Sequence, residues 1–224
     1  MRLSSSSVTH FLLWLNLVIT TVHFAQSNTG IEITSDRGVG NKSDLDLLWR
    51  IPPKSTALVT GGTKGIGHAI VTQLASTFGV RVLTCARKED DLQTCLQEWK
   101  EAGYDVWGVV ADVSTSEGRE AVMTKLHEMI QQSDCAHVGK LDILINNVGS
   151  NRRKKTVEYT EEDFDYIFNT NLKSLYELTK LCYPYLRRDV ESLQTAGPSS
   201  VIHIGSVAGG PTCIKSGTLY VRFL

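Results

Sequence analysis

The chain has 224 residues, 42% of them hydrophobic, and 23 Lys and Arg stand against 24 Asp and Glu for a formal net charge of −1. That suffices for one α/β domain with an appendage, and the absence of a basic stripe excludes a nucleic-acid-binding surface. The five cysteines Cys85, Cys95, Cys135, Cys182 and Cys213 are odd in number and form no CxxC pair, which excludes a disulfide framework and a metal site of zinc type and implies buried thiols in a reducing compartment.

Residues 1–27 carry a serine tract, an apolar run from Phe11 to Val22 and then the small residues around Ala25-Gln26-Ser27. The run is short for a membrane span. Two readings stay open: a secretory signal processed near Ser27, or a serine-rich extension with no targeting role. Residues 28–49 read as linker, with a glycosylation sequon at Asn41-Lys42-Ser43. The folded unit runs from 50 to 224.

From residue 50 short apolar runs alternate with longer amphipathic ones, the pattern of a parallel sheet with helical crossovers. Strands are predicted near Thr56 to Thr60, Arg81 to Cys85, Val106 to Val110, Ile143 to Asn146 and Val201 to Gly205, each apolar enough to be covered on both faces. Helices are predicted near Lys64 to Thr77, Glu89 to Glu101, Glu117 to Gln132 and Glu161 to Arg188, the last capped by Thr160 with Asp163 in its first turn. Right-handed crossovers then give a doubly wound, Rossmann-type α/β sheet whose carboxyl edge carries the motifs. The cluster Arg152-Arg153-Lys154-Lys155 reads as a solvated loop, and Ser133 to Lys140 as an insertion without chemistry.

The first strand runs into Thr60-Gly61-Gly62-Thr63-Lys64-Gly65-Ile66-Gly67. Strand, glycines and an amphipathic helix in this order form a phosphate-gripping turn: Gly61 for the tight turn, Gly65 for backbone approach to a pyrophosphate, Gly67 for helix packing. A nicotinamide dinucleotide is the ligand this turn implies.

Further motifs follow in fixed order: Asp112-Val113 after the third strand, Asn146-Asn147-Val148-Gly149 after the fourth, Asn171, Ser206 after the fifth, and Tyr220. With the glycine turn they resemble the classical short-chain dehydrogenase/reductase family over about residues 49 to 220. The segments Thr84-Cys85-Ala86-Arg87, Thr156 to Phe164 and Ile214 to Tyr220 resemble its plant tropinone reductase-like group.

The resemblance implies a cofactor site made by Gly61, Thr63, Lys64, Gly65, Ile66, Gly67, Arg87, Asp112, Val113, Asn147 and Gly149. Asp112 would accept from the adenine amino group, or cap the helix after Ser114, or both. Asn146 would tie strand edges together and shape the adenosine side of the groove. An NAD-specific sheet places an acid about twenty residues past the glycines; here Arg87 and Lys64 suit a 2′-phosphate, which favours NADP. The substrate implied is a small-molecule ketone or alcohol. Ser206 would hold its oxygen while the Tyr220 hydroxyl supplies the proton. Asn171 either orders water in the proton relay or is a polar residue on a solvated helix face.

The family's pattern has a lysine four residues after the tyrosine, and this sequence has Leu224 there. Bringing a tyrosine from a pKa near 10 to about 7 takes roughly 4 kcal/mol, so turnover is expected to be impaired. The family's two later strands and their helices are also missing, which leaves the apolar run Val201 to Ile204 as an unprotected edge. The expectation is a C-terminally truncated NADP(H)-dependent oxidoreductase; the alternative is a non-catalytic isoform that binds nucleotide or pairs with full-length relatives through the helix 161–188, the same surface a homo-oligomer would use. Localisation follows the family in the cytoplasm, or the secretory pathway if residues 1–27 act as a signal.

Overall fold

The computed structural model of the chain describes residues 19–23, 51–52, 54–132, 134–189 and 197–206. In chain order it contains β1 (Ile19–His23), β2 (Thr56–Thr60), α1 (Gly65–Phe78), β3 (Arg81–Ala86), α2 (Glu89–Glu101), β4 (Val106–Val110), α3 (Ser116–Ile130), β5 (Ile143–Asn146), α4 (Glu161–Phe168), α5 (Ser174–Leu186) and β6 (Ser200–Ile204).

The sheet order is β1-β6-β5-β2-β3-β4. The five strands β2 to β6 are parallel, as crossover helices between successive strands require. Chain direction along the sheet reverses at β2, which has β3 on one side and β5 on the other, so the space beyond its carboxyl end is the switch-point crevice of a doubly wound sheet.

Two apolar layers cover the sheet. One face packs Val71, Leu74 and Ala75 of α1 and Cys95 and Trp99 of α2, and the other packs Val122, Leu126 and Met129 of α3 with Leu178, Cys182 and Leu186 of α5. The central strand β2 is buried along its whole length. The edge strand β4 is only half-covered, with Val110 43% exposed, which corrects the expectation that every strand is covered on both faces. The described cysteines Cys85, Cys95, Cys135 and Cys182 are free and buried; burial pushes Cys85 up to about 11 and Cys182 up to about 12, so neither is a thiolate near neutral pH. Cys213 lies outside the described residues.

Several expectations are revised. The outer edge of β6 is not open: β1 pairs with it antiparallel, from Ile19 opposite Ile204 to His23 opposite Ser200. The last four residues of the predicted signal-like run thus lie in a strand. No helix among the described residues is long and apolar enough to cross a membrane.

The helix predicted over 161–188 is two helices joined by a π turn, Asn169–Lys173. The basic loop is not simply solvated, because Arg152 and Lys154 reach Asp163 at 3.0 and 2.5 Å and the Arg152 guanidinium lies 4.2 Å over the Tyr166 ring. Asp163 is buried and also closes the expected capping box with Thr160.

The 134–140 loop has a structural task. Asp134 accepts from Arg81 at 2.8 and 2.9 Å and from Lys54 at 2.6 Å, which latches the loop to the amino edge of the sheet. These cations hold the Asp134 carboxyl well below the usual range.

Candidate functional site

The glycine turn leaves β2 and enters α1 at the switch point. Gly61 has φ +72° and Gly65 φ +58°, conformations that an L side chain strains to adopt. A Cβ on Gly65 would meet nothing within 4 Å, so the backbone there faces open space. At Gly67 a Cβ would stand 2.2 Å from the Gly61 carbonyl oxygen and 2.5 Å from Asn147 Nδ2; glycine is what lets α1 sit against the turn. Gly62 is equally constrained, since a Cβ would fall 2.2 Å from Thr84 Oγ1, a hydroxyl held in place by its bond to the Val59 carbonyl at 2.8 Å.

The start of α1 has neither a side-chain cap nor an acidic residue in its first turn, and its N-cap is Lys64 in extended conformation. The first turns of α2, α3, α4 and α5 all carry acids. Free N–H groups, a cationic N-cap and open space in front of Gly65 together fit a phosphate. Thr63 and Lys64 lie in the turn, and Ile66 is 38% exposed beside it. The Thr63 carbonyl accepts from the Cys95 thiol at 3.4 Å.

Asn147 locks the turn to β5. Its Nδ2 donates to the carbonyls of Thr60 at 2.9 Å and Gly61 at 3.2 Å, and Thr60 Oγ1 accepts from the backbone N–H groups of Asn147 and Val148 at 2.9 and 3.1 Å. The neighbouring Asn146 points the other way, toward Thr179 and His203. Asn146 therefore ties β5 to β6 as expected, and the side chain that shapes the glycine turn is Asn147.

Arg87 and Asp112 face each other beyond the ends of β3 and β4, with Arg87 Nη1 3.9 Å from Asp112 Oδ2 and both side chains exposed. Asp112 Oδ1 accepts from the N–H and hydroxyl of Ser114 at 3.0 and 2.7 Å. It does not cap α3; Thr115 does, accepting from Gly118 N at 3.0 Å. Val113 buries its side chain in the core, and its carbonyl accepts from Arg119. Its side chain is therefore not available to a ligand.

Asn171 sits in the π turn and is 2% exposed, which overturns the solvated-face reading. Its Oδ1 accepts from Ser150 N at 2.7 Å and its Nδ2 donates to Ser150 O at 2.9 Å, so the amide clamps the loop after β5. π turns of this kind recur at functional sites. Gly149 is exposed next to this clamp; a Cβ there would come 3.7 Å from Asn171 Oδ1.

Ser206 is partly buried. It stands three residues past His203, the register partner of Asn146, as Gly149 stands three past Asn146. It thus reaches the same carboxyl edge as Asn147 and Gly149. Tyr220 and Leu224 lie outside the described residues. The glycine turn, Arg87, Asp112, Asn147, Gly149, Asn171 and Ser206 all gather at one edge. The sequence reading missed Thr60, Gly62 and Ser150. Gly62 lay inside the quoted motif, but only the fold brings Thr84 beneath it.

The sequence pattern of the short chain dehydrogenase family matches residues 55–220. The chain is 43% identical over 177 residues to a tropinone reductase homolog of Arabidopsis thaliana, covering 79% of this chain and 61% of the relative. It is 44% identical over 165 residues to senescence-associated protein 13 of the same plant, covering 74% and 55%. Among solved structures it resembles a variant actinorhodin polyketide ketoreductase crystallised with NADPH, with TM-score 0.63, 29% identity and coverage of 77% of this chain and 61% of that one. The chain belongs to the short-chain dehydrogenase/reductase family, in its plant tropinone reductase-like group. It spans 43% to 61% of the length of these curated relatives.

Proposed function

We propose that this chain carries the nucleotide half and part of the carbonyl half of an NADP(H)-dependent oxidoreductase that interconverts small-molecule ketones and alcohols. The observation that carries the reading is the uncapped start of α1 behind Gly65, with Arg87 at the end of the next strand where an NAD site would hold an acid. Gly61 to Gly67 offer backbone N–H groups to the pyrophosphate. Arg87 and Lys64 supply charge-assisted donors to a 2′-phosphate. Asp112 Oδ2, which points toward Arg87, accepts from the adenine amino group, and Asn147 and Gly149 border the groove on the β5 side.

When bound, the nicotinamide supplies hydride. In this reading Ser206 donates a hydrogen bond that holds the carbonyl oxygen, Tyr220 delivers the proton, and Asn171 keeps the loop at Ser150 in position for the relay.

Fluorescence titration with NADPH and NADH tests the reading. Charged hydrogen bonds are worth about 1.5–3 kcal/mol, so the wild-type chain is expected to prefer NADPH by roughly ten- to a hundredfold, and Arg87→Asp to abolish or invert that preference. Equal affinities in the wild type would refute it.

A second reading rests on α5, where Tyr176 is 62%, Leu181 40% and Tyr183 37% exposed. Large apolar side chains on one helix suit pairing with a second copy or with a longer relative. Sedimentation velocity on wild type and Tyr176→Glu checks it; a monomer at all concentrations for both would remove it.

A further inference from the structure

We propose that His203 is a positioning residue for the nucleotide and carbonyl site, and that it acts only as the neutral tautomer with its proton on Nε2. Thr179 lies on α5. Its hydroxyl donates to the Leu175 carbonyl at 2.6 Å, which commits its single proton. Toward Asn146, 3.1 Å away, it can only accept. That fixes the orientation of the Asn146 amide, with the NH2 group facing Thr179.

The same NH2 group lies 3.1 Å from His203 Nδ1. One amide hydrogen goes to Thr179, so the other points at His203, and Nδ1 must present a lone pair. A proton on Nδ1 would set one N–H against another, so protonation of the ring opens the bond.

The three side chains join three elements, β5, α5 and β6. The clamp lies one residue before Asn147, which holds the glycine turn, and three residues before Ser206. Its state is transmitted to both halves of the site through strand register, because His203 and Asn146 are direct register partners. The side chain that reaches His203 from β5 is Asn146, and the one that holds Asn146 from α5 is Thr179, both neutral. Burial alone pushes its pKa below the ordinary imidazole value, with no charged neighbour contributing among the described residues. The folded chain therefore binds the proton less readily than the unfolded one. The clamp's stability is complete above the ordinary imidazole pKa near 6.5 and is lost as pH falls through the lower folded value.

The effect on affinity rests on the NADP reading; the tautomer does not. The test therefore reads both on the full chain, with proton–nitrogen correlation spectra of histidine-labelled protein and with NADPH titrations, each from pH 8 to pH 5. The expected result is an unprotonated Nδ1 at neutral pH and, with one hydrogen bond at stake, an NADPH affinity that drops about tenfold more on acidification than in His203→Asn. The asparagine carbonyl accepts the same bond without titrating. The 2′-phosphate also titrates near pH 6, but it does so in both proteins and cancels in the comparison. His203→Phe, which cannot accept, should be weak at every pH. An Nδ1–H tautomer at neutral pH, or pH profiles of wild type and His203→Asn that superimpose, would overturn the proposal. If no variant binds NADPH, the NADP reading fails, and the tautomer with the acid limb of the melting curve still decides the clamp.

Discussion

Asn147 ties β5 to the end of β2 with three hydrogen bonds, two to Thr60 and one to Gly61: its Nδ2 donates to the Thr60 carbonyl and its backbone N–H to the Thr60 hydroxyl, and the Nδ2 also donates to the Gly61 carbonyl. One side chain thus sets the end of β2, the entry to the glycine turn and the start of the loop after β5. Toward the turn the side-chain amide works as a donor.

Asn147→Asp tests that donor role with almost no change of shape. A carboxylate would face two carbonyl oxygens, and leaving such buried acceptors unpaired costs about 1–3 kcal/mol. The expected outcome is a lower melting temperature together with loss of NADPH binding. Wild-type melting and binding in the variant would mean that the turn is held by other contacts.

Gly65 and Gly67 should fail in different ways. Alanine at Gly67 gains about 1 kcal/mol of helix propensity, but its Cβ would lie 2.2 Å from the Gly61 carbonyl, a backbone atom that cannot swing aside. Overpacking costs of about 1–3 kcal/mol then win, and Gly67→Ala is expected to destabilise the fold. Gly65→Ala meets no neighbour and carries only the left-handed penalty of about 1–2 kcal/mol, yet it places a methyl group where the phosphate would sit. Gly65→Ala should therefore lose more affinity per degree of melting temperature lost. Equal ratios of binding loss to stability loss for the two variants would count against the phosphate site.

Asp163 provides a pH test of the 152–163 loop. Lys154, the Thr160 N–H and Arg152 hold its carboxyl well below the usual range, so the folded chain resists protonation that the unfolded chain accepts near pH 3.9. Its stabilisation is present above that pH and is lost as pH falls toward the folded value. Asp163→Asn should lower the melting temperature by several degrees at pH 7, and the gap to wild type should close on acidification below pH 4. A gap that does not change with pH would show that the capping box, not the charge, is what the substitution removes.

How far the sequence revealed this site depended on the range of each interaction. β2, β4 and β5 and the bounds of α2 were legible because short hydrophobic runs and longer amphipathic ones are local signals. The division of labour between Asn146 and Asn147 was not. Period-two alternation says that adjacent strand residues face opposite ways, but which faces the glycine turn depends on Thr60 and Thr179, 87 and 33 positions distant. The π turn at Asn171 was hidden as well, because helical periodicity runs unbroken into it from both sides. Arg152 and Lys154 looked like a solvated pair of cations until the chain brought Asp163 beneath them.

β1 puts residues of the signal-like run into the sheet. The backbone of Ile19–His23 satisfies the outer edge of β6, a strand rich in β-branched residues that would otherwise offer unpaired N–H and C=O groups to other chains. The same residues cannot enter a secretory channel while they pair with β6, and cleavage near Ser27 would remove them. A chain lacking residues 1–27 is therefore expected to melt at a lower temperature and to sediment as larger species than the full chain, with the difference growing with concentration. Fluorescent fusions with and without residues 1–27 read the competing use: a reticular signal that depends on the segment means that targeting wins before the sheet closes, and a shared diffuse signal means that the run remains as a strand. Identical melting and sedimentation of the full and shortened chains would exclude the pairing of β1 with β6.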